Sequence, residues 1–274
     1  VRRVLTLKKK LGLFDDPYRY LDEQREKETL FSDEMMAQAL SSAQKSIVLL
    51  ENKAVGQKPL LPLSKNTKSI GLIGPLGDNQ LELLGSWHAS GDETKVVTVK
   101  AALEKEFPQT TIRYAKGCDI NSADTQGFEQ ALTLASQVDV VVFAVGEAHT
   151  QSGEAASRSD IDLPGVQEEL IREVQKMNKS VVVLVMAGRP LTIPWVAENV
   201  PALLYTWHLG TRAGDAIADV LSGDYNPGGK LPVTIPRSVG QIPIYYNVKN
   251  TGRPFDSDRK STRLNSSHTV ISYA

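Results

Sequence analysis

The sequence predicts an α/β fold, an open, doubly wound, mostly parallel sheet flanked by helices. Short, almost continuously apolar runs recur at residues 69–73, 138–145, 180–186 and 202–205. Each has strand length, and Val-rich runs of this kind suit strands buried on both faces. Helical patterns lie between or beyond them, at 125–137, 164–177 and 211–221. Alternation of strand and helix is what a parallel sheet wound on both sides requires.

Taken in order, residues 1–13 read as the last turns of a helix, with Val4, Leu5, Leu7 and Leu11 set among basic residues. The chain opens without Met and already in helical style, so its true start is expected to lie upstream. Residues 15–31 are rich in charge and poor in core-forming side chains, as expected of an interdomain linker. Ser32 offers an N-cap, followed by Asp33 and Glu34 in the favourable first turn. Met35, Met36, Ala39, Leu40 and Ala43 then continue a helix at three- and four-residue spacing. The α/β domain is expected to occupy 32–256. Within it, Pro164 is placed at a first helical position and Gly223 just past the end of the last helix.

Bulk composition excludes several classes of function. Hydrophobic residues make up 41% and charged residues 23%, within the ordinary range for a globular chain. A formal net charge of −1, with both signs interspersed, gives no field to recruit nucleic acid or an anionic membrane. No apolar run reaches the roughly 18 residues of a membrane helix. The single cysteine, Cys118, forbids an intrachain disulfide and reads as an inert small residue after a strand. Residues 71–77 space their glycines unlike the dinucleotide fingerprint, and Pro75 removes a donor that a phosphate would need. No Walker loop or serine nucleophile elbow occurs. Histidines at 88, 149, 208 and 268 lack metal-ligand spacing, and no metal or cofactor is expected.

Ligands of open α/β sheets bind beyond the carboxyl ends of the strands. The loops concerned are 74–91, 146–163, 188–190 and 207–210. The richest is 146–163, where Glu147, His149, Glu154 and Arg158 follow a buried strand and glycines precede both glutamates. A loop this long in a compact domain is more often functional than a plain connector, with a solvated surface loop as the alternative. Trp87, in Gly85-Ser86-Trp87-His88, can offer an indole face to a sugar or pack in the core. Trp207-His208 gives a weaker signal of the same kind.

These loops resemble a known family. Arg2-Arg3-Val4-Leu5 with Gly12-Leu13-Phe14-Asp15-Asp16-Pro17-Tyr18 looks like the end of the barrel domain of family-3 glycoside hydrolases. Gly74-Pro75-Leu76, Gly85-Ser86-Trp87 and Tyr114-Ala115-Lys116-Gly117 resemble the start of their second domain. Val145-Gly146-Glu147-Ala148 and Glu154-Ala155-Ala156-Ser157-Arg158 resemble their acid/base loop. Stretches 218–232 and 236–246 are closest to the periplasmic β-glucosidases of Gram-negative bacteria.

The resemblance implies a retaining β-glucosidase with two carboxylates about 5–5.5 Å apart. Its nucleophile, an Asp, would lie in a barrel preceding this chain, so residues 1–14 would be a remnant of the barrel's last helix. The chain alone would then be inactive, and its partners would be the barrel and a β-glucoside, in the periplasm. The general acid/base maps to Glu154, with Glu147 as the competing candidate that more naturally orients the loop. Trp87, His149 and Arg158 would surround the substrate. A guanidinium next to the acid would favour its ionised form, so Arg158 is expected to pair elsewhere, with Asp160, and to brace the loop. Residues 257–274 depart from the family and read as non-native read-through.

Overall fold

The computed structural model describes residues 1–244. The tail expected at 257–274, and the C-terminal boundary at 256, lie outside the described residues. The chain divides into two compact units, Val1–Gln38 and Ala39–Ala274.

The first unit contains α1 (Arg2–Lys10), α2 (Glu23–Thr29) and the first turns of α3 (Asp33–Ser46), which continues into the second unit. Ser32 Oγ accepts from the Met35 N–H at 3.4 Å, as a cap should. The stretch read from the sequence as an interdomain linker carries α2. Asp22 caps it by accepting from the amides of Gln24 and Arg25, and a Gln24–Glu28 bond one turn apart supports it.

The second unit is built on a six-stranded sheet in the order β1-β8-β7-β6-β4-β5. Its central strands are β4 (Ser69–Ile73), β6 (Val140–Gly146), β7 (Val181–Met186) and β8 (Ala202–Tyr205), all mutually parallel. Two edge strands complete it: β5 (Thr111–Ala115), parallel, and β1 (Val48–Asn52), antiparallel to β8. A small separate hairpin pairs β2 (Ala54–Val55) with β3 (Lys58–Pro59).

Helices cover both faces, which is why the central strands are apolar throughout. On one face Val99, Ala102 and Leu103 of α5 (Val99–Glu106) join Ala213, Ala216, Ile217 and Val220 of α9 (Ala213–Ser222) over Ile70, Leu72 and Val142. On the other, α6 (Phe128–Ser136), α7 (Gln167–Met177) and α8 (Pro194–Asn199) pack over Ile73, Val141, Phe143 and Val183. Gly223 ends α9 in a left-handed conformation at φ 85°, as the sequence predicts. The start of α7 differs from expectation. It begins at Gln167, because Gly165 at φ 61° makes a turn after Pro164 and the Gln167 side chain then points into the protein.

Candidate active site

From β4 the chain crosses to β5 on one side, and β6 then pairs on the other side of β4. The sheet order therefore reverses between β4 and β6, and the loops following those two strands face each other across a crevice. The loop after β4 contains α4 (Leu81–Leu84) and Trp87; the loop after β6 is 146–163. Ser86 and Ser152 hydroxyls join them at 2.7 Å. The ring Nδ1 of His149 lies 3.0 Å from Glu82 Oε2, and the His149 backbone N–H donates to the same oxygen.

The loop after β6 is seated by buried polar groups. Gln167, with no exposure, accepts from the Gly146 N–H at 2.9 Å and donates to the Gly146 carbonyl at 2.8 Å. Gly146 itself is at φ 148°, and a Cβ there would overlap the Met186 carbonyl. Next comes Glu147, which is also completely buried. Arg158 Nη1 reaches its Oε1 at 2.8 Å, and Arg189 Nε, from the loop after β7, lies 3.0 Å from the same oxygen. A carboxylate removed from water requires such partners.

Arg158 bonds to other parts of this loop, with partners different from the one expected of it. Its guanidinium engages Glu147 and the Asp162 carbonyl at 3.2 Å, with the Asp162 carboxylate 3.6 Å away, in place of Asp160. The physical reason is burial: Glu147 has no water to turn to, whereas exposed Asp160 does. Asp160 acts instead on Asp162, whose carboxyl is raised chiefly by partial burial and further by the neighbouring Asp160 charge.

Glu154 stands in contrast to Glu147. It is exposed, and the Ala156 N–H donates to the Gly153 carbonyl at 3.4 Å, closing a turn with Glu154 and Ala155 at its centre. Both neighbours of Glu154 are left-handed, Gly153 at φ 99° and Ala155 at φ 57°. For alanine that conformation costs roughly 1 kcal/mol, a strain that surrounding contacts must hold. Trp87 is 74% exposed, and its Nε1 lies 3.5 Å from where a Gly153 Cβ would stand. The indole therefore stands beside the turn that carries Glu154.

Three residues here are not singled out by the sequence, Glu82, Arg189 and Gln167, and His88 and His208 are noted there beside their tryptophans. The rings of His88 and His149 meet edge to face at 5.6 Å. His208 Nδ1 donates to the Glu82 carbonyl at 3.1 Å, leaving Nε2 buried without a partner among the described residues. Burial holds the His208 imidazole below its ordinary pKa, opposed by that hydrogen bond. Residues far apart in the chain gather around Glu82, and linear spacing gives no hint of it. The described residues contain no cluster of three or more His, Cys, Asp or Glu side chains placed to hold a metal ion.

Residues 47–273 match the glycosyl hydrolase family 3 C-terminal domain. The chain belongs to glycoside hydrolase family 3. It is 43% identical over 252 residues to a β-xylosidase of Formosa agariphila, covering 89% of this chain and 34% of that protein. It is 38% identical to a periplasmic β-glucosidase of Salmonella typhimurium, over 94% of this chain and 36% of that one. The crystal structure of a β-glucosidase from Listeria innocua superposes with a TM-score of 0.85 at 39% identity, covering 96% of this chain and 35% of that chain. The family-3 chain thus spans about a third of the length of these relatives.

Proposed function

We propose that this domain supplies the general acid/base, Glu154, of a retaining β-glucosidase whose nucleophilic Asp lies in a barrel domain elsewhere on the same polypeptide. The observation that carries this reading is the contrast between the two candidate carboxylates. Glu147 has no exposure and is committed to two arginines, while Glu154 stands exposed at the apex of a turn beside an exposed tryptophan. A group that must hand a proton to a glycosidic oxygen, then take one from water, needs access to both. Glu154 would protonate the departing oxygen and later activate the water that releases the glycosyl–enzyme intermediate. Trp87 would pack on the leaving-group sugar.

Substrate choice belongs largely to the barrel in this reading. The Salmonella and Listeria relatives favour β-glucosides, and the Formosa relative supports β-xylosides as the second reading. We place the protein in the periplasm on the strength of the Salmonella relative; no helix among the described residues is long and apolar enough to cross a membrane.

In the polypeptide joining this domain to its barrel, Glu154→Ala should slow aryl β-glucosides with poor leaving groups far more than activated ones. The 274-residue chain alone should turn over neither. Equal losses for all leaving groups, or the expected pattern appearing in Glu147→Ala instead, would remove Glu154 from the role.

A further inference from the structure

We infer that Arg189 is a positioning residue for Glu154: one guanidinium from the loop after β7 ties together both legs of the turn that carries the acid. The inference rests on the role proposed for Glu154. Arg189 Nη2 donates to the Ala156 carbonyl at 2.9 Å and also to the Gln151 carbonyl. Those carbonyls flank Glu154, and the segment between them contains the left-handed pair Gly153 and Ala155. A strained turn of this kind relaxes unless its ends are fixed, and a single nitrogen fixes both.

The guanidinium is itself held at two points. Its Nε lies against Glu147, 3.0 Å from Oε1 and 3.3 Å from Oε2. Its backbone is seated by Tyr205, fully buried at the end of β8. The Tyr205 hydroxyl donates to the Arg189 carbonyl and accepts from the Leu191 N–H at 3.1 Å. A line of fixed contacts therefore runs from the sheet through Tyr205 and Arg189 to the turn.

A purely structural reading would have Arg189 merely neutralise Glu147. Arg158 already pairs with that carboxylate at 2.8 Å, and the Nη2 of Arg189 is directed at the turn rather than at Glu147. The geometry also needs arginine. Lysine could keep the charge beside Glu147, but a compact ammonium cannot present Nε to the carboxylate and Nη2 to two carbonyls together.

The test is Arg189→Lys in the polypeptide joined to its barrel, assayed on phenyl and dinitrophenyl β-glucosides and β-xylosides, with Glu154→Ala in parallel. A turn displaced by even about 1 Å weakens proton donation steeply, so kcat/KM, which reports formation of the glycosyl–enzyme intermediate, should fall at least about tenfold more on the phenyl glycoside than on the dinitrophenyl one. Should Arg189→Lys fail to fold, Tyr205→Phe keeps both guanidiniums and Glu147 while loosening the seat of Arg189, and it should shift the ratio the same way. Equal losses on both leaving groups, or no loss, would overturn the positioning role. If Glu154→Ala itself shows no leaving-group dependence, the acid/base assignment is what fails. If Glu154→Ala shows it and neither other variant does, only the inference about Arg189 fails.

Discussion

Replacing Glu147 by glutamine probes the seat of the loop after β6 while nearly preserving shape. The native carboxylate is fully buried, with Arg158 Nη1 at 2.8 Å and Arg189 Nε at 3.0 Å, and those partners' side chains are only 16% and 20% exposed. In Glu147→Gln two guanidiniums face a neutral amide, and one amide position now presents a donor where only an acceptor fits. Removing one member of a buried ion pair costs about 3–5 kcal/mol. At roughly 2–4 °C of melting temperature per kcal/mol for a domain of this size, the midpoint should fall by about 6–20 °C. Calorimetry and urea denaturation on the same preparation would measure it. Glu154→Gln, exposed and outside this network, serves as the control and should stay within about 0.5 kcal/mol. A Glu147→Gln protein within about 1 kcal/mol of the parent would refute the view that the ion-pair network anchors the loop, since a pair so weak is what exposed bridges give.

Two further predictions concern buried titratable groups. His208 is held below its ordinary pKa by burial, whereas the unfolded chain protonates it near about 6.5. The unfolded state therefore binds the proton more readily, so His208 favours folding above that pH and the benefit fades as the solution is acidified toward the folded value. Denaturation from pH 7.5 to 5.5 (conditions chosen to bracket about 6.5) should show a smaller loss of stability in His208→Asn, whose amide can still donate to the Glu82 carbonyl; identical slopes would contradict this. The Cys118 thiol is buried and pushed up to about 11, chiefly by desolvation and further by the nearby Asp119 charge. A disulfide reagent near neutral pH should label the native protein slowly and the denatured one at once, and native labelling at the denatured rate would be the refuting result.

The parts of this fold that can be read from sequence are those where one physical signal dominates. Strands β4, β6, β7 and β8 are buried on both faces, so their apolar runs stand out. The edge strands do not. Thr111-Ile112-Arg113-Tyr114-Ala115 and Val48-Leu49-Leu50-Glu51-Asn52 are only partly buried, and their mixed residues carry no clean pattern. Gly223 was legible because a glycine past an apolar helix has one common use, whereas Pro164 misled because Gly165 turns the chain before the helix can begin.

At the site, Glu147, Glu154, Arg158 and His149 share one loop and were visible together. Arg189, Glu82 and Gln167 reach that loop from other strand ends and helices, and sequence separations of 42, 67 and 21 residues hide such meetings. The partner of Arg158 differs from the one its sequence neighbours suggest for a related reason. Which of two nearby carboxylates takes a guanidinium depends on which is buried, and burial at Glu147 is set by β7 and its loop rather than by local residues.

The most direct test of the central claim is the stereochemistry of azide rescue. In the barrel-bearing polypeptide with Glu154→Ala, an activated aryl β-glucoside should still form the covalent intermediate, and azide should attack it in place of activated water. If Glu154 is the acid/base and the nucleophile lies elsewhere, two inversions occur and proton NMR will find the β-glucosyl azide. Recovery of the α-glucosyl azide would make Glu154 the nucleophile, and the absence of any azide product would leave it no catalytic part.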